Sequence, residues 1–315
     1  MTTNIDPTRL RSRNYVDDSS SGASPGATAS PDERAARRAA DERLTALVSD
    51  RSDHGPCDAI PNPVLFRAEA GDTNEIDVHD VRQRGFADCF FLAPLAALTQ
   101  SPEGRALIRS AIAENRNTRG ELLSYTVTLH VPQRSMLGVA AAPVVKVTID
   151  PSFECGHASP RVENDSAEVW TMVMEAALAK LGGGGAAIKN GGLAAAAMEI
   201  LTGRPAIREA FTWFSAGYDA SKLKADLAAG KMVVFDTRND VTVDCVAPPE
   251  VQAKMMLPGA YGLYPHHSYV AIGTETRDGK EYLLLHNPWD QKEPDPIPFD
   301  ELRNWFTAVN VGSVK

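Results

Sequence analysis

The run Cys89-Phe90-Phe91-Leu92-Ala93-Pro94-Leu95-Ala96-Ala97-Leu98 offers no polar face at helical spacing. A helix that is apolar all round has no side to leave in water, so it belongs at the centre of a domain with other elements packed about it. Pro94 is expected in its first turns, where a missing N–H costs least. A chain of 315 residues, 43% of them hydrophobic, has the apolar surface to enclose such a helix, and its length suits one large domain or two lobes.

Around this helix the chain changes character in an ordered way. Residues 1–29 are rich in Ser, Gly, Ala, Thr and Pro and cannot bury enough apolar surface to offset their ordering entropy, so a disordered tail is expected there. Residues 30–64 read as an N-terminal helix and a linker. Ser30, Pro31 and Glu33 form a capping box, and Ala36, Ala40 and Leu44 share one side of a helix running to about Val48. After the apolar helix, LLSYTVTLHV and PVVKVTID alternate as strands. Trp170, Val173, Met174, Ala177, Leu178 and Leu181 recur at helical spacing, and LAAAAMEIL reads as a further helix closed by Gly203. The glycine run between them has no G-K-[ST] and no preceding strand, which makes it a tight connection rather than a phosphate cradle. Beyond Arg204 strands dominate: KMVVFDT, then SYVAIGTET and EYLLLHNP joined at Asp278-Gly279 as a hairpin. A mainly helical first half and a mainly β second half make the fold α+β, divided at 65–205 and 206–315, with a cleft between the two as the place for a site.

A formal net charge of −9 and the lack of a dense Lys/Arg stripe exclude a partner held through its phosphates, so nucleic acid is not expected. No stretch of about 18 apolar residues is present, so no membrane span is expected, and the start lacks the apolar core of a secretory signal. That places the chain in the cytoplasm, or on a specialised export route that reads a disordered start. The four cysteines, Cys57, Cys89, Cys155 and Cys245, include no C-x-x-C pair, which rules out a zinc ribbon or a thioredoxin-type redox motif.

Cys89 opens the apolar helix, where unpaired backbone N–H groups and the helix dipole lower a thiol pKa from about 8.5 into a range of roughly 3.5 to 7.5. Taken alone, a cysteine leading an apolar helix is more often a small buried hydrophobe. The rest of the chain supplies a base. His266 and His267 enter one arm of the hairpin and Asn287 leaves the other, so pairing across the turn makes a histidine and an asparagine neighbours. An asparagine oxygen accepting from one imidazole nitrogen fixes tautomer and orientation, as the third member of a nucleophile, base and orienter set does.

In this order, with these neighbours, the residues resemble the protease core of the calpains. Calpain cores carry Gln-Gly-x-x-Gly-Asp-Cys-Trp, His-Ala-Tyr and Asn-Pro-Trp; this chain has Gln83, Asp88, Cys89 and Phe90, then His267-Ser268-Tyr269, then Asn287-Pro288-Trp289. The likeness covers about residues 65–312. It implies a papain-like two-lobe fold and a cysteine endopeptidase acting on protein substrates through an acyl-enzyme on Cys89. His267 would be the base, chosen over His266 because a small residue follows it, and Asn287 the orienter. Gln83 would be the oxyanion donor, and Trp289 the tryptophan that shields the triad or wedges the lobes apart. Arg84 and Ala87 replace the family's glycines, and the calcium ligands of calpain loops find no match here, so calcium stays open without matched ligands and no cofactor is required. The same thiol chemistry also serves acyl transfer or glutamine deamidation, and a misaligned site would leave a binding module. As an exported effector or toxin, the chain would have a host target and a cognate inhibitor as partners.

Overall fold

The computed structural model describes residues 60, 62–68, 74–84, 86–131, 142–153, 158, 161–163, 166–185, 188, 191–212, 217–238, 260–290 and 293–315. The expected tail, the helix from Ser30, and Cys57, Cys155 and Cys245 lie outside these residues.

The apolar segment forms helix α1, Cys89–Thr99, and all of its residues are buried. Pro94 is its sixth residue, past the terminal amides, so it withholds an N–H from the helix interior rather than from the first turn. Helix α2, Pro102–Ala111, follows at once, with proline in its first turn and Ser101 Oγ accepting from Gly104 N at 3.0 Å. Strands β2 (Ile112–Arg116), β3 (Leu122–His130) and β4 (Val144–Ile149) form an antiparallel sheet in that order. Tyr125, Val127 and Leu129 of β3 point into the core at every second residue. A second small sheet joins β1 (Pro63–Val64), β6 (Ser166–Glu168) and β5 (Arg161–Glu163). Helices α3 (Trp170–Gly182) and α4 (Ala194–Thr202) end on Gly183 and Gly203, whose φ of 100° and 70° an L side chain rarely adopts.

The remaining strands make one six-stranded sheet in the order β11-β10-β9-β8-β12-β7. They are β7 (Ala206–Ala210), β8 (Met232–Thr237), β9 (Ser268–Arg277), β10 (Lys280–His286), β11 (Ile297–Pro298) and β12 (Phe306–Gly312). Helix α5 (Ala220–Ala228) packs on β8 and β9, and the short helix α6 (Leu302–Trp305) leads into β12. The β9–β10 hairpin turns on Asp278 and Gly279, both at positive φ (50° and 76°), as a two-residue turn that follows strand twist requires. Its register shifts between Leu284 and Leu285.

Two hydrophobic clusters share the central strands of this sheet. Met232, Val234 and Val270 belong to the cluster built on α1, α3 and α4, whereas Val233, Phe235, Tyr269 and Ala271 belong to the other. Both faces of β8 are thereby buried, which explains its unbroken apolar run. Helix α1 packs against α4, β8 and β9, so its first residue lies where the sheet meets the helices. The α+β reading stands as a mixed architecture, in which the helices of the first half are accompanied by two three-stranded sheets. Among the described residues no helix is long and apolar enough to cross a membrane.

Candidate active site

Cys89 is the first residue of α1, and the carbonyl of Asp88 accepts from the amides of Phe91 (2.8 Å) and Leu92 (3.0 Å). The Cys89 amide therefore precedes the intrahelical ladder. The sulfur lies 4.0 Å from the carbonyl oxygen of His266 and meets the backbone N–H of Ser268. The expected lowering of the thiol pKa is not what this environment produces. Burial pushes it up to about 12; the Ser268 N–H opposes this, and the carboxylates of Asp88 and Asp236 reinforce it. Desolvation outweighs the helix terminus because Cys89 is only 9% exposed.

The two adjacent histidines separate cleanly. His266 sits at φ 51° with its side chain exposed, and the turn it makes delivers His267 to the interior, where it is 4% exposed. The backbone of His267 is clamped to β8: its N–H donates to Thr237 Oγ1 at 2.9 Å, and its carbonyl accepts from Thr237 N at 2.9 Å. Nε2 lies 2.9 Å from Asn287 Oδ1. An amide oxygen only accepts, so Nε2 carries the hydrogen and Nδ1 keeps its lone pair. The ring is held between Trp289 (centroids 4.4 Å apart, 42° tilt) and the edge of Tyr269 (4.8 Å, 87°). Burial pushes its pKa down to about 4, with the Asn287 bond working against the shift. Thiol and imidazole are accordingly both neutral at pH 7.

Asn287 is fully buried, and its Oδ1 also accepts from the Trp289 N–H at 3.1 Å. Its own backbone N–H donates to Glu293 Oε2 at 2.7 Å. Trp289 is half-buried and also lies against Tyr264 (centroids 4.6 Å apart). Gln83 donates its backbone N–H to Pro288 O at 2.9 Å, which ties the segment before α1 to the loop carrying Asn287 and Trp289. Its side-chain amide is buried and donates one hydrogen to Phe86 O at 2.7 Å. The structure thus brings His267, Asn287 and Trp289 into direct contact, sets Cys89 beside the His266–Ser268 backbone, and joins Gln83 to them through the main chain.

One residue beside the thiol, Asp236, was not anticipated, nor was its bond to Ser268. Ser268 Oγ donates to Asp236 Oδ1 at 2.8 Å, and Asp236 Oδ2 accepts from Asn310 Nδ2 at 2.8 Å, with Arg208 Nε 3.8 Å away. Burial raises the Asp236 pKa, while the Asn310 and Ser268 bonds and Arg208 lower it. The signal was present in the sequence: one aspartate in the apolar run MVVFDT has to be partnered if the strand is buried.

No curated protein matches the chain. The model of the calpain family cysteine protease matches residues 70–310, a span that contains Gln83, Cys89, His267 and Asn287 together with every strand of the six-stranded sheet except the last two residues of β12. The chain belongs to the calpain family of cysteine proteases.

Proposed function

We propose that this calpain-family chain hydrolyses peptide bonds in proteins, with Cys89 as nucleophile, His267 as base and then acid, and Asn287 as orienter. Residues 65–205 and 206–315 act as papain-like lobes on either side of the site. The observation that carries the reading is the 2.9 Å bond from His267 Nε2 to Asn287 Oδ1, made next to the His266 carbonyl that lies 4.0 Å from the Cys89 sulfur. It leaves Nδ1 as the nitrogen that takes a proton.

In the reaction the Cys89 proton passes to His267 Nδ1 as the sulfur bonds to the substrate carbonyl carbon. The Cys89 N–H and the Gln83 side-chain amide donate to the oxygen that gains charge, a contribution worth about 10²–10³ in rate for one such donor. The C–N bond then breaks, and the leaving amine takes the proton from His267. Water attacks the thioester, gives a proton to the same nitrogen and releases the acid, and the thiol regains its hydrogen. Trp289, lying over the imidazole, keeps water from the Nε2 bond. Both partners are neutral at rest, so formation of the thiolate and imidazolium belongs to the substrate-bound site, where the developing charges face each other. Calcium enters no step. Arg84 puts an exposed guanidinium on the loop between Gln83 and Cys89, a poor setting for a divalent cation.

The test is digestion of a denatured protein mixture, read by mass spectrometry, with Cys89→Ala as control. Peptide-bond scission by the parent and a loss of at least about 10³-fold in the variant are expected. A shift of about one dalton at glutamine, or an amine adduct without scission, would assign the acyl-enzyme to deamidation or transfer instead. Scission by Cys89→Ala at the parent's rate would remove the nucleophile assignment.

A further inference from the structure

Outside the Cys89–His267–Asn287 set, one group of metal-ligating side chains has been brought together from distant parts of the chain. His79, His286 and Glu293 each offer one ligand atom, and these atoms lie within 4.8 Å of one another. We propose that they form a binding site for a borderline transition-metal cation, with Zn²⁺ as the fitting ion.

Two imidazoles and one carboxylate make a set that suits zinc and disfavours calcium or magnesium, which take oxygen ligands. The fold holds these side chains together. His286 is 1% exposed at the end of β10, and its Nδ1 lies 2.6 Å from Glu293 Oε1, so Nδ1 is the nitrogen that would ligate beside the carboxylate and Nε2 the one that keeps the hydrogen. Glu293 Oε2 is fixed by the Asn287 N–H at 2.7 Å. The His79 ring stands edge-on to His286 with centroids 5.2 Å apart, and its Nδ1 lies 3.3 Å from Asp290 Oδ1. A carboxylate on one imidazole nitrogen is the usual brace for a ring that ligates through the other. Arg82, which shares Asp290 with His79, is paired to it at 2.8 Å, so its charge is balanced.

Tetrahedral zinc with bonds near 2.0–2.1 Å puts its ligand atoms about 3.3 Å apart. The set closes onto an ion by about 1.5 Å of movement at most, available to His79 because its side chain is 56% exposed. Three protein ligands leave a fourth position for water. His79 lies in the turn Val78–Asp80 that leads to Gln83, whereas His286 and Glu293 flank Asn287 and Trp289. A bound ion would therefore fasten the segment bearing Gln83 to the loop bearing Asn287. The binding itself does not depend on the proteolytic reading.

The test is calorimetric titration of Zn²⁺ into the full chain carrying Cys89→Ala, which removes the thiol as a competing ligand, after treatment with a chelator. One equivalent is expected to bind with micromolar or tighter affinity. His79→Ala, at an exposed position that the fold does not need, is expected to weaken binding at least tenfold, and Glu293→Gln to do likewise. Co²⁺ in the same protein should give the intense visible bands of a tetrahedral site. No saturable Zn²⁺ binding, or binding of equal strength in His79→Ala, would overturn the proposal.

Discussion

At Cys89 two influences of opposite sign act on one sulfur. The helix terminus favours a thiolate, and enclosure between α1 and the entry of β9 opposes it; enclosure wins, taking the thiol up to about 12. The helix start was legible in the sequence because it is a local property of Asp88-Cys89 and the apolar run. The degree of enclosure was not, because it is set by His266–Ser268 and Asp236, about 150 to 180 residues further along the chain. The balance gives a direct expectation for the free protein. Alkylation of Cys89 by iodoacetamide, followed by mass spectrometry, should keep rising with pH through about pH 9, without the plateau below neutrality that a resting thiolate–imidazolium pair would show. Asp236→Asn removes a nearby negative charge while still accepting from Ser268 Oγ, and Asn310 has an unpartnered Oδ1 that can turn to meet the new amide. The variant should be alkylated about three- to tenfold faster at pH 8, and an unchanged rate would show that Asp236 does not act on the thiol. The neighbouring histidines illustrate the same limit. Sequence placed both at the mouth of the hairpin, but the positive φ of His266, which decides which ring goes inside, is a property of the assembled turn.

Elements whose own period or punctuation is strong were legible. The alternation of Tyr125, Val127 and Leu129, the Asp278-Gly279 turn and the Gly203 stop all fall where the residues put them. Among the elements missed, β2, β7 and α5 are short and carry mixed polarity, whereas α2 was missed although Ser101-Pro102 is a regular helix start. Ile207 on the edge strand β7 stays 67% exposed, so no buried face imprints a pattern on that segment. The glycine run was read as a tight connection, and the structure supplies a reason at one of its members. A Cβ on Gly192 would sit 2.6 Å from the ring of Phe90, the buried residue that follows Cys89. Gly192→Ala should therefore push on α1 at its first turn. Overpacking of this kind costs about 1–3 kcal/mol, so a lower urea midpoint with an unchanged m-value is expected, together with reduced turnover. A variant as stable as the parent would mean that the Phe90 ring has room to move aside.

Across the whole molecule, β8 and β9 contribute side chains to both hydrophobic clusters, so neither cluster can come apart without exposing the other, and unfolding is expected to be cooperative. Its pH dependence is set by two buried groups of opposite sense. His267 is held neutral with its pKa down to about 4, so it contributes stability that is present above the ordinary value of about 6.5 and is lost as pH falls towards 4. Glu175, fully buried on α3 with Oε2 accepting from Ala158 N at 2.7 Å, is pushed up to about 7 by burial, against the lowering effect of its bonds to Asp88 and Ala158. Its contribution is present below the ordinary carboxyl value and is lost as pH rises through 7. Between about pH 4.5 and 6.5 the two slopes cancel, so the parent should show little change there from these groups. Glu175→Gln keeps an oxygen for the Ala158 amide and cannot ionise, which leaves the His267 slope alone. Its stability relative to the parent should grow by about 3 kcal/mol between pH 5 and pH 8, measured by urea unfolding at both. A gap between variant and parent that does not change with pH would show that Glu175 ionises at its ordinary value despite being enclosed.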